Sequence, residues 1–427
     1  MDTLLILLLP LQALAQIPAF PGAQGFASDT PGGRGGCVHI VTTLADDNSP
    51  GSLRWALEQT GPRTVVIEVA GVIHLNEPLR IGGRRQAPPP GDNPHSFLTI
   101  AGESAPGGGI TLSGYPLEFN NDVHDVIVRH IRIRGPRVDD RSGSIGDGLA
   151  FFGGHNIIVD HVSLSWFADE GISIESTASR INHDITVEHS FVAEGLLNGN
   201  HPSGGPHSRC AIVSDGSFNV SLHHNVFMSC NRRNPNLGGN SNLGASDFPL
   251  SDVRHNLIYN AGDKGIQFAR GAVTNIIGNW IRQGPQTSAS HPMEATDRMQ
   301  EGTQLYLAGN CELTVSAGTE TNICPENQVA LVQQTHGPGL VAWLSDPLDT
   351  PPVVQMFSLA GELLGDAGAH PSDPADSTFR AQYMLGTGDM GAGEKPLADI
   401  EIPEPAPGIY FVWDMETQQV VPFVVAR

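Results

Sequence analysis

Five segments, Val126-Ile127-Val128-Arg129-His130, Ile157-Ile158-Val159-Asp160-His161, Ile185-Thr186-Val187-Glu188-His189, Val220-Ser221-Leu222-His223-His224 and Asp252-Val253-Arg254-His255, share a short β-prone run ending in a polar residue and a histidine. Their histidines lie 31, 28, 35 and 31 residues apart, and a sixth copy, Thr274-Asn275-Ile276-Ile277-Gly278, puts glycine at the histidine's place 23 residues later. Recurrence at a period of roughly 20–50 residues marks a stacked architecture. Each repeat holds several runs of Val, Ile, Leu and Phe broken by Gly, Asn or Asp, with little helical periodicity between them. Coils of parallel strands, each burying its inward side chains against the coil below, fit this pattern best. After the histidine, Asn225, Asn256 and Asn279 recur at one place in three copies. They are expected to take the left-handed bend and to stack as a hydrogen-bonded amide ladder. The recurrent histidines are read as strand-end residues of the repeat rather than as ligands.

Working outward, residues 17–79 precede the regular coils, and Gly51-Ser52-Leu53-Arg54-Trp55-Ala56-Leu57-Glu58 places apolar residues at helical spacing. An N-terminal amphipathic helix is predicted there, capping the open end of the stack, whose first coil otherwise exposes an unpaired edge. Residues 84–95, with Pro88-Pro89-Pro90, read as a surface loop. Beyond about residue 285 the coil pattern fades, residues 330–400 read as peripheral loops, and residues 401–427 form a tail whose β-prone part, 408–425, is a candidate strand pair of unknown role.

Residues 4–9 are an apolar run too short to span a bilayer, and Ala13-Leu14-Ala15 follows as a small-residue cleavage site, so residues 1–15 read as a signal peptide and residues 16–400 as the coil domain. Asp2 stands where a basic n-region is usual, which keeps an uncleaved anchor or a misassigned start as alternatives. The expected location is extracellular. A formal charge of −22, from 23 basic and 45 acidic side chains, excludes nucleic acid as the natural partner, because phosphate binding needs a basic face. Of five cysteines, Cys311 with Cys324 and Cys210 with Cys230 are candidate pairs, leaving Cys37 over, and none has zinc-binding spacing.

Several motifs, in order, are specific. Ala19-Phe20-Pro21-Gly22-Ala23 with Gly32-Gly33-Arg34-Gly35-Gly36, Pro50-Gly51-Ser52-Leu53-Arg54, Thr99-Ile100-Ala101-Gly102, Val159-Asp160-His161 with Ser163, Ser165 and Trp166, Arg233-Asn234-Pro235, and Ala367-Gly368-Ala369-His370-Pro371 with Asp373 and Asp376 span roughly residues 19–395. Together they resemble the pectate lyases of polysaccharide lyase family 1. The resemblance implies an all-β, single-stranded right-handed parallel β-helix and cleavage of α-1,4-galacturonan (pectate) by β-elimination, with an arginine as base and calcium as the clamp for charge.

Carried over by position, the resemblance makes Arg233 the base. An arginine is protonated up to a pKa of roughly 12.5–13.8, and each unit between that and the working pH costs about 1.4 kcal/mol, which neighbouring positive charges reduce. Arg232, Lys264, Arg209 and Arg254 are candidates for that charge, and Arg232, Lys264, Arg209 and His207 for binding substrate. The alternative for Arg233 is a plain ion pair with a carboxylate on the coil exterior. Asp147, Asp169 and Glu170 occupy positions implied to hold calcium, whereas two further acidic positions fall on Ile145 and Ser173. The family's lysine is missing from residues 202–207, and Asn236, Leu237 and Gly238 follow Pro235 where a basic residue is usual. Asp160 reads as structural.

The expected partner is therefore an acidic polysaccharide, with no nucleic acid and no membrane, and the chain is expected to act as a monomer. Two other readings compete. A non-catalytic carbohydrate-binding coil would explain the substituted positions, and a glycoside hydrolase on the same fold would use aspartates around a water, for which Asp139-Asp140 offers a lone acidic pair in an Arg- and Gly-rich loop without accompanying family motifs.

Overall fold

In the computed structural model, residues 17–84, 93–136, 138–139, 144–199, 201–238, 250–269, 271–288, 293–295, 304–308, 310–316, 319–323, 408–414 and 419–425 are described. The chain winds as a right-handed parallel β-helix with three strand ladders. The first ladder stacks Leu79–Ile81, the start of Leu117–Arg129, the start of Leu149–Asp160, Glu170–Glu175, Arg209–Ser214, Asn236–Gly238 and Ile266–Ala269. The second runs from Cys37–Val41 through Arg63–Ile67, Leu98–Ala101, the ends of the two long strands, His183–Glu188, Phe218–His223 and Leu250–Arg254 to Val273–Ile277. The third runs from Gly71–His74 through Ile110–Ser113, Ile131–Arg134, Ser163–Ser165, Phe191–Ala193, Val226–Met228 and Leu257–Tyr259 to Trp280–Arg282.

The register reproduces the repeat. Val128, Val159, Val187, Leu222, Val253 and Ile276 lie on successive rungs, all fully buried, because each coil's inward side chain finds its apolar partner only in the coil above and below. Phe119 and Phe151 stack the same way, with ring centroids 4.5 Å apart.

The corner after the second ladder differs in one respect from the expectation. The left-handed residues are the histidines, with φ of 53° at His130, 53° at His161, 46° at His189, 54° at His224 and 48° at His255, and Gly278 takes the same place at 61°. That explains the glycine in the sixth copy, since glycine enters this region without a Cβ penalty. The asparagines follow one position later and build the ladder: Asn225 N donates to Asn256 Oδ1 at 2.9 Å, Asn256 Nδ2 to Asn279 Oδ1 at 2.9 Å, and Asn279 Nδ2 to Asn310 Oδ1 at 2.9 Å. Each amide also donates to a strand-end carbonyl, as Asn256 Nδ2 does to Leu222 O at 2.9 Å, so the bend's buried backbone groups are paired. The histidine rings stack along the outside, His130 on His161 at 4.8 Å, His161 on His189 at 5.0 Å and His189 on His224 at 5.0 Å.

At the N-terminal end a helix covers Leu53–Glu58, with Ser52 Oγ accepting from Trp55 N at 3.2 Å as its N-cap. Leu53, Ala56 and Leu57 join the core. The buried Arg63 guanidinium donates to the carbonyls of Ala56 and Leu57, satisfying orphan groups at the helix's last turn. Residues 24–33 lie along the second ladder, where Gln24 N, Ala27 N and Gly33 N donate to Glu188, Thr186 and Thr99.

The coil continues past residue 285, where sequence suggested only peripheral loops. Met293–Ala295, Gln304–Ala308 and Cys311–Ser316 extend the three ladders in parallel, and Asn310 extends the amide column. The strand Thr319–Ile323 then pairs antiparallel with Cys311–Ser316, and Gly408–Asp414 pairs antiparallel with Gln419–Val425. Residues 1–15, most of the proline-rich loop, residues 330–400, the segment from Ala367 to Asp376 and Cys324 lie outside the described residues, as do the side chains of Asp139 and Asp140. Cys210 and Cys230 form a disulfide across neighbouring coils, and Cys37 is exposed and free.

Candidate active site

The first ladder carries the site. In Glu170–Glu175 the alternation of a strand turns Ile172 and Ile174 into the core and leaves Ser173 and Glu175 on the other side. Asp147 enters from the loop before the preceding rung, its Oδ1 accepting from Glu170 N at 3.2 Å. Asp147, Asp169 and Glu170 thus come together, all three buried, with ligand oxygens within 4.8 Å of one another.

Basic residues arrive from the next two rungs. Arg209 Nη1 donates to Asp169 Oδ1 at 2.7 Å and to Glu170 Oε1 at 3.3 Å. Arg233 stands at the bend before Asn236–Gly238, with φ 57° and a cis peptide following Asn234. Its backbone is pinned by Gln267 Oε1 and by Ala211 N, and its Nη1 donates to Glu170 Oε1. The Arg233 side chain is 26% exposed while that of Glu170 is 1% exposed, so Arg233 reaches from the surface onto a buried acid.

Electrostatics set the character of this cluster. Burial, and then the charges of Glu170 and Asp169, push the Asp147 carboxyl well above the usual carboxylate range. Glu170 is raised to about 7, by burial first, with Arg233 opposing and Asp169 adding to the rise. Burial also raises Asp169 and Glu175. Removing these carboxylates from water penalises their charged forms, and two guanidiniums do not offset four acids.

The remaining expectations divide. His207, 2% exposed, lies beside Asp169 and belongs to the site. Arg232 is turned outward, 52% exposed, and pairs with Asp263. Lys264 is tied in through its backbone, N to Asn231 O and O from Asn234 Nδ2. Arg254 does not share this face: it lies on the second ladder, buried against Asp252, because its strand belongs to the opposite side of the corner. Ser173 leaves no acid at its position, but Glu175, two residues on, faces the same way and accepts from Ser214 Oγ at 3.0 Å. Glu175 and His201, whose Nε2 is 3.1 Å from Asp169 Oδ2, were not anticipated. Strand alternation from Ser173 would have found Glu175; nothing local marks His201, which reaches Asp169 across a loop. Asp160 binds Arg129 Nε at 2.7 Å and His161 Nδ1 at 2.5 Å, and these partners hold its carboxyl below the usual range against the effect of burial.

No protein-family model matches the chain. Among curated proteins it is 33% identical over 424 residues to “Probable pectate lyase C” of Emericella nidulans, covering 93% of this chain and 86% of that one. The protein of the same name in Aspergillus flavus is 33% identical over 403 residues, covering 88% and 83%. Among solved structures, a thermostable pectate lyase superposes with a TM-score of 0.56 at 14% identity, covering 83% of this chain and 99% of that one. A pectate lyase of a Bacillus species in complex with trigalacturonate gives a TM-score of 0.52 at 14% identity, covering 82% and 99%. The structural likeness establishes the parallel β-helix, and the identity and coverage of the curated relatives establish that this chain belongs to the pectate lyase family.

Proposed function

We propose that the chain is a secreted lyase that cleaves α-1,4-galacturonan by β-elimination, with Arg233 as the base and calcium held by Asp147, Asp169 and Glu170. One observation carries the reading: on the first ladder, the arginine matched to the family's base reaches a buried group of three carboxylates. Hard oxygen donors, buried together and pushed above their ordinary pKa by burial and mutual repulsion, suit a hard divalent cation. Calcium bound there would neutralise the uronate carboxylate of the substrate, so that the adjacent carbon gives up its proton more readily.

The chain's own residues do the rest. Arg233 now balances part of the cluster's negative charge through Glu170, which is the ion-pair alternative considered from sequence, moved from the coil exterior to a buried acid. Its partly exposed guanidinium leaves Glu170 for the substrate by rotation of its side chain alone, since its backbone is fixed at Gln267 and Ala211. Once turned, and after giving up one proton to solvent, the neutral guanidine takes the proton from the carbon beside the carboxylate, the C–O bond on the neighbouring carbon breaks as the double bond forms, and the departing oxygen takes a proton from water. Arg209, bonded to the same Glu170, supplies the neighbouring positive charge that such a base requires. The leader-like residues 1–15 support secretion, and no helix among the described residues is long and apolar enough to cross a membrane.

The test is purified protein given polygalacturonate and calcium at mildly alkaline pH, read by the ultraviolet absorbance of the 4,5-unsaturated product. Absorbance should appear with calcium, vanish with chelator, and vanish in Arg233→Ala while far-ultraviolet circular dichroism is unchanged. Full activity in Arg233→Ala would refute the role given to that residue. Reducing ends without absorbance would favour hydrolysis, and substrate binding with neither would favour a non-catalytic coil.

A further inference from the structure

Asp169 is flanked by two histidines that the elimination just described does not use. His201 Nε2 is 3.1 Å from Asp169 Oδ2, His207 Nε2 is 3.7 Å from Asp169 Oδ1, and the two ring centroids are 3.9 Å apart. The Nδ1 of His207 lies 3.0 Å from Gly205 O. A lone pair on that nitrogen would face the carbonyl's own lone pairs, so Nδ1 carries the proton and donates to Gly205. The opposite nitrogen is then an unprotonated acceptor. It is buried, has no hydrogen-bond partner, and faces a carboxylate oxygen.

Two acceptors turned toward each other in a buried place repel unless a proton or a metal ion stands between them. An imidazole tied at one nitrogen to a backbone carbonyl, with the other free, is the arrangement of a metal-bound histidine. Donors roughly 2.0–2.2 Å from a tetrahedral ion stand about 3.3–3.6 Å from one another, and the observed 3.1 and 3.7 Å bracket that range.

The geometry points to a nitrogen-bearing metal site formed by Asp169, His201 and His207, sharing Asp169 with the oxygen-only cluster and selecting a first-row transition ion rather than calcium. Arg209 already occupies Asp169 Oδ1 at 2.7 Å, and the Nδ1 of His201 accepts from Ser203 N at 3.1 Å, an exposed bond that must be given up when Nε2 turns to an ion. On the lyase reading, an ion here places positive charge beside the very stretch, residues 202–207, in which the resembling family has a lysine and this chain has none. The site itself stands on its geometry, independently of that reading.

The experiment uses tag-free, chelator-stripped protein titrated with Co²⁺ alone, followed by calorimetry and by ligand-field absorption, with a parallel Ca²⁺ titration. Co²⁺ should bind with the spectrum of a centre containing imidazole nitrogen. His207→Gln should weaken Co²⁺ binding at least about tenfold and Ca²⁺ binding by a much smaller factor. Metal-free circular dichroism checks the fold of that variant, and His201→Gln, on a less buried ring, provides the same test if His207→Gln does not fold. Failure of the parent protein to bind Co²⁺, or undiminished binding in the folded variants, would overturn the assignment. Neither result touches the calcium-dependent elimination assay, so the two readings fail separately.

Discussion

Replacing Asn256 by alanine tests whether the amide column holds the coils together. The side chain accepts from Asn225 N at 2.9 Å and donates to Leu222 O at 2.9 Å and to Asn279 Oδ1 at 2.9 Å, all in fully buried surroundings. Alanine leaves Asn225 N–H and the Leu222 carbonyl without these bonds, whereas Asn279 Oδ1 keeps the bond from Asn256 N at 3.0 Å. An unsatisfied buried group costs about 1–3 kcal/mol, so the two together predict a loss of about 2–6 kcal/mol, before any contribution from the small void. Against a typical total of about 5–15 kcal/mol this is a large share. Urea unfolding should show the midpoint falling with the slope unchanged, since the coil's buried surface is the same. Asn256→Asp, nearly isosteric, should lose at least as much, because its second oxygen faces the Leu222 carbonyl. A loss under about 1 kcal/mol in the alanine variant would mean that water or the backbone takes over these bonds, and the ladder would then be decoration rather than support.

Three further outcomes are expected. His255 is held down to about 4, by burial first and then by Arg254 and His223, so the stability due to its neutral ring is complete above about pH 6.5 and is lost as pH falls toward about 4. The difference in unfolding free energy between the parent protein and His255→Gln should change by up to about 3 kcal/mol across that window, and parallel curves would refute the assignment. Asp147→Asn should stabilise the chelator-treated protein near neutral pH, because a carboxyl raised by folding costs stability as pH rises above its unfolded value of 3.8, where the unfolded chain ionises and the folded one resists. Added calcium should reverse the order, giving the parent about 2.7 kcal/mol at a hundredfold excess over Kd; thermal melts in both buffers decide, and equal calcium shifts would exclude Asp147 as a ligand. Replacing Cys210 and Cys230 by alanine opens a loop with a sequence separation of 20, which predicts a loss of about 3 kcal/mol in non-reducing denaturation, and an unchanged midpoint would argue against a stabilising bridge.

The repeat was legible because its physics is local in one direction. Val128, Val159 and Val187 must be apolar wherever a coil stacks on a coil, and the period of the chain writes that demand into the sequence. The bend was legible only in part. Asn225 and Asn256 marked its place, but the left-handed residue is the histidine before them, where histidine is less expected than asparagine. Asp147, Asp169, Glu170, Arg209 and Arg233 were reachable from the resemblance to a known family, whereas Arg254 was drawn to the wrong face because neighbours in a repeat need not share a ladder.

A stacked, all-β architecture and an acidic composition could be read from the residues alone, and the resemblance to a known family added the candidates for base and oxygen ligands. Only the tertiary structure decided which of them meet. The segments carrying Asp147, Glu170, Arg209 and Arg233 lie a full coil or more apart along the chain, and their separation in space depends on how many residues each intervening loop absorbs before the next rung. The buried free nitrogen of His207, the pairing of Arg233 with Glu170 and the arrival of His201 at Asp169 are consequences of that winding, and no local pattern of residues encodes them.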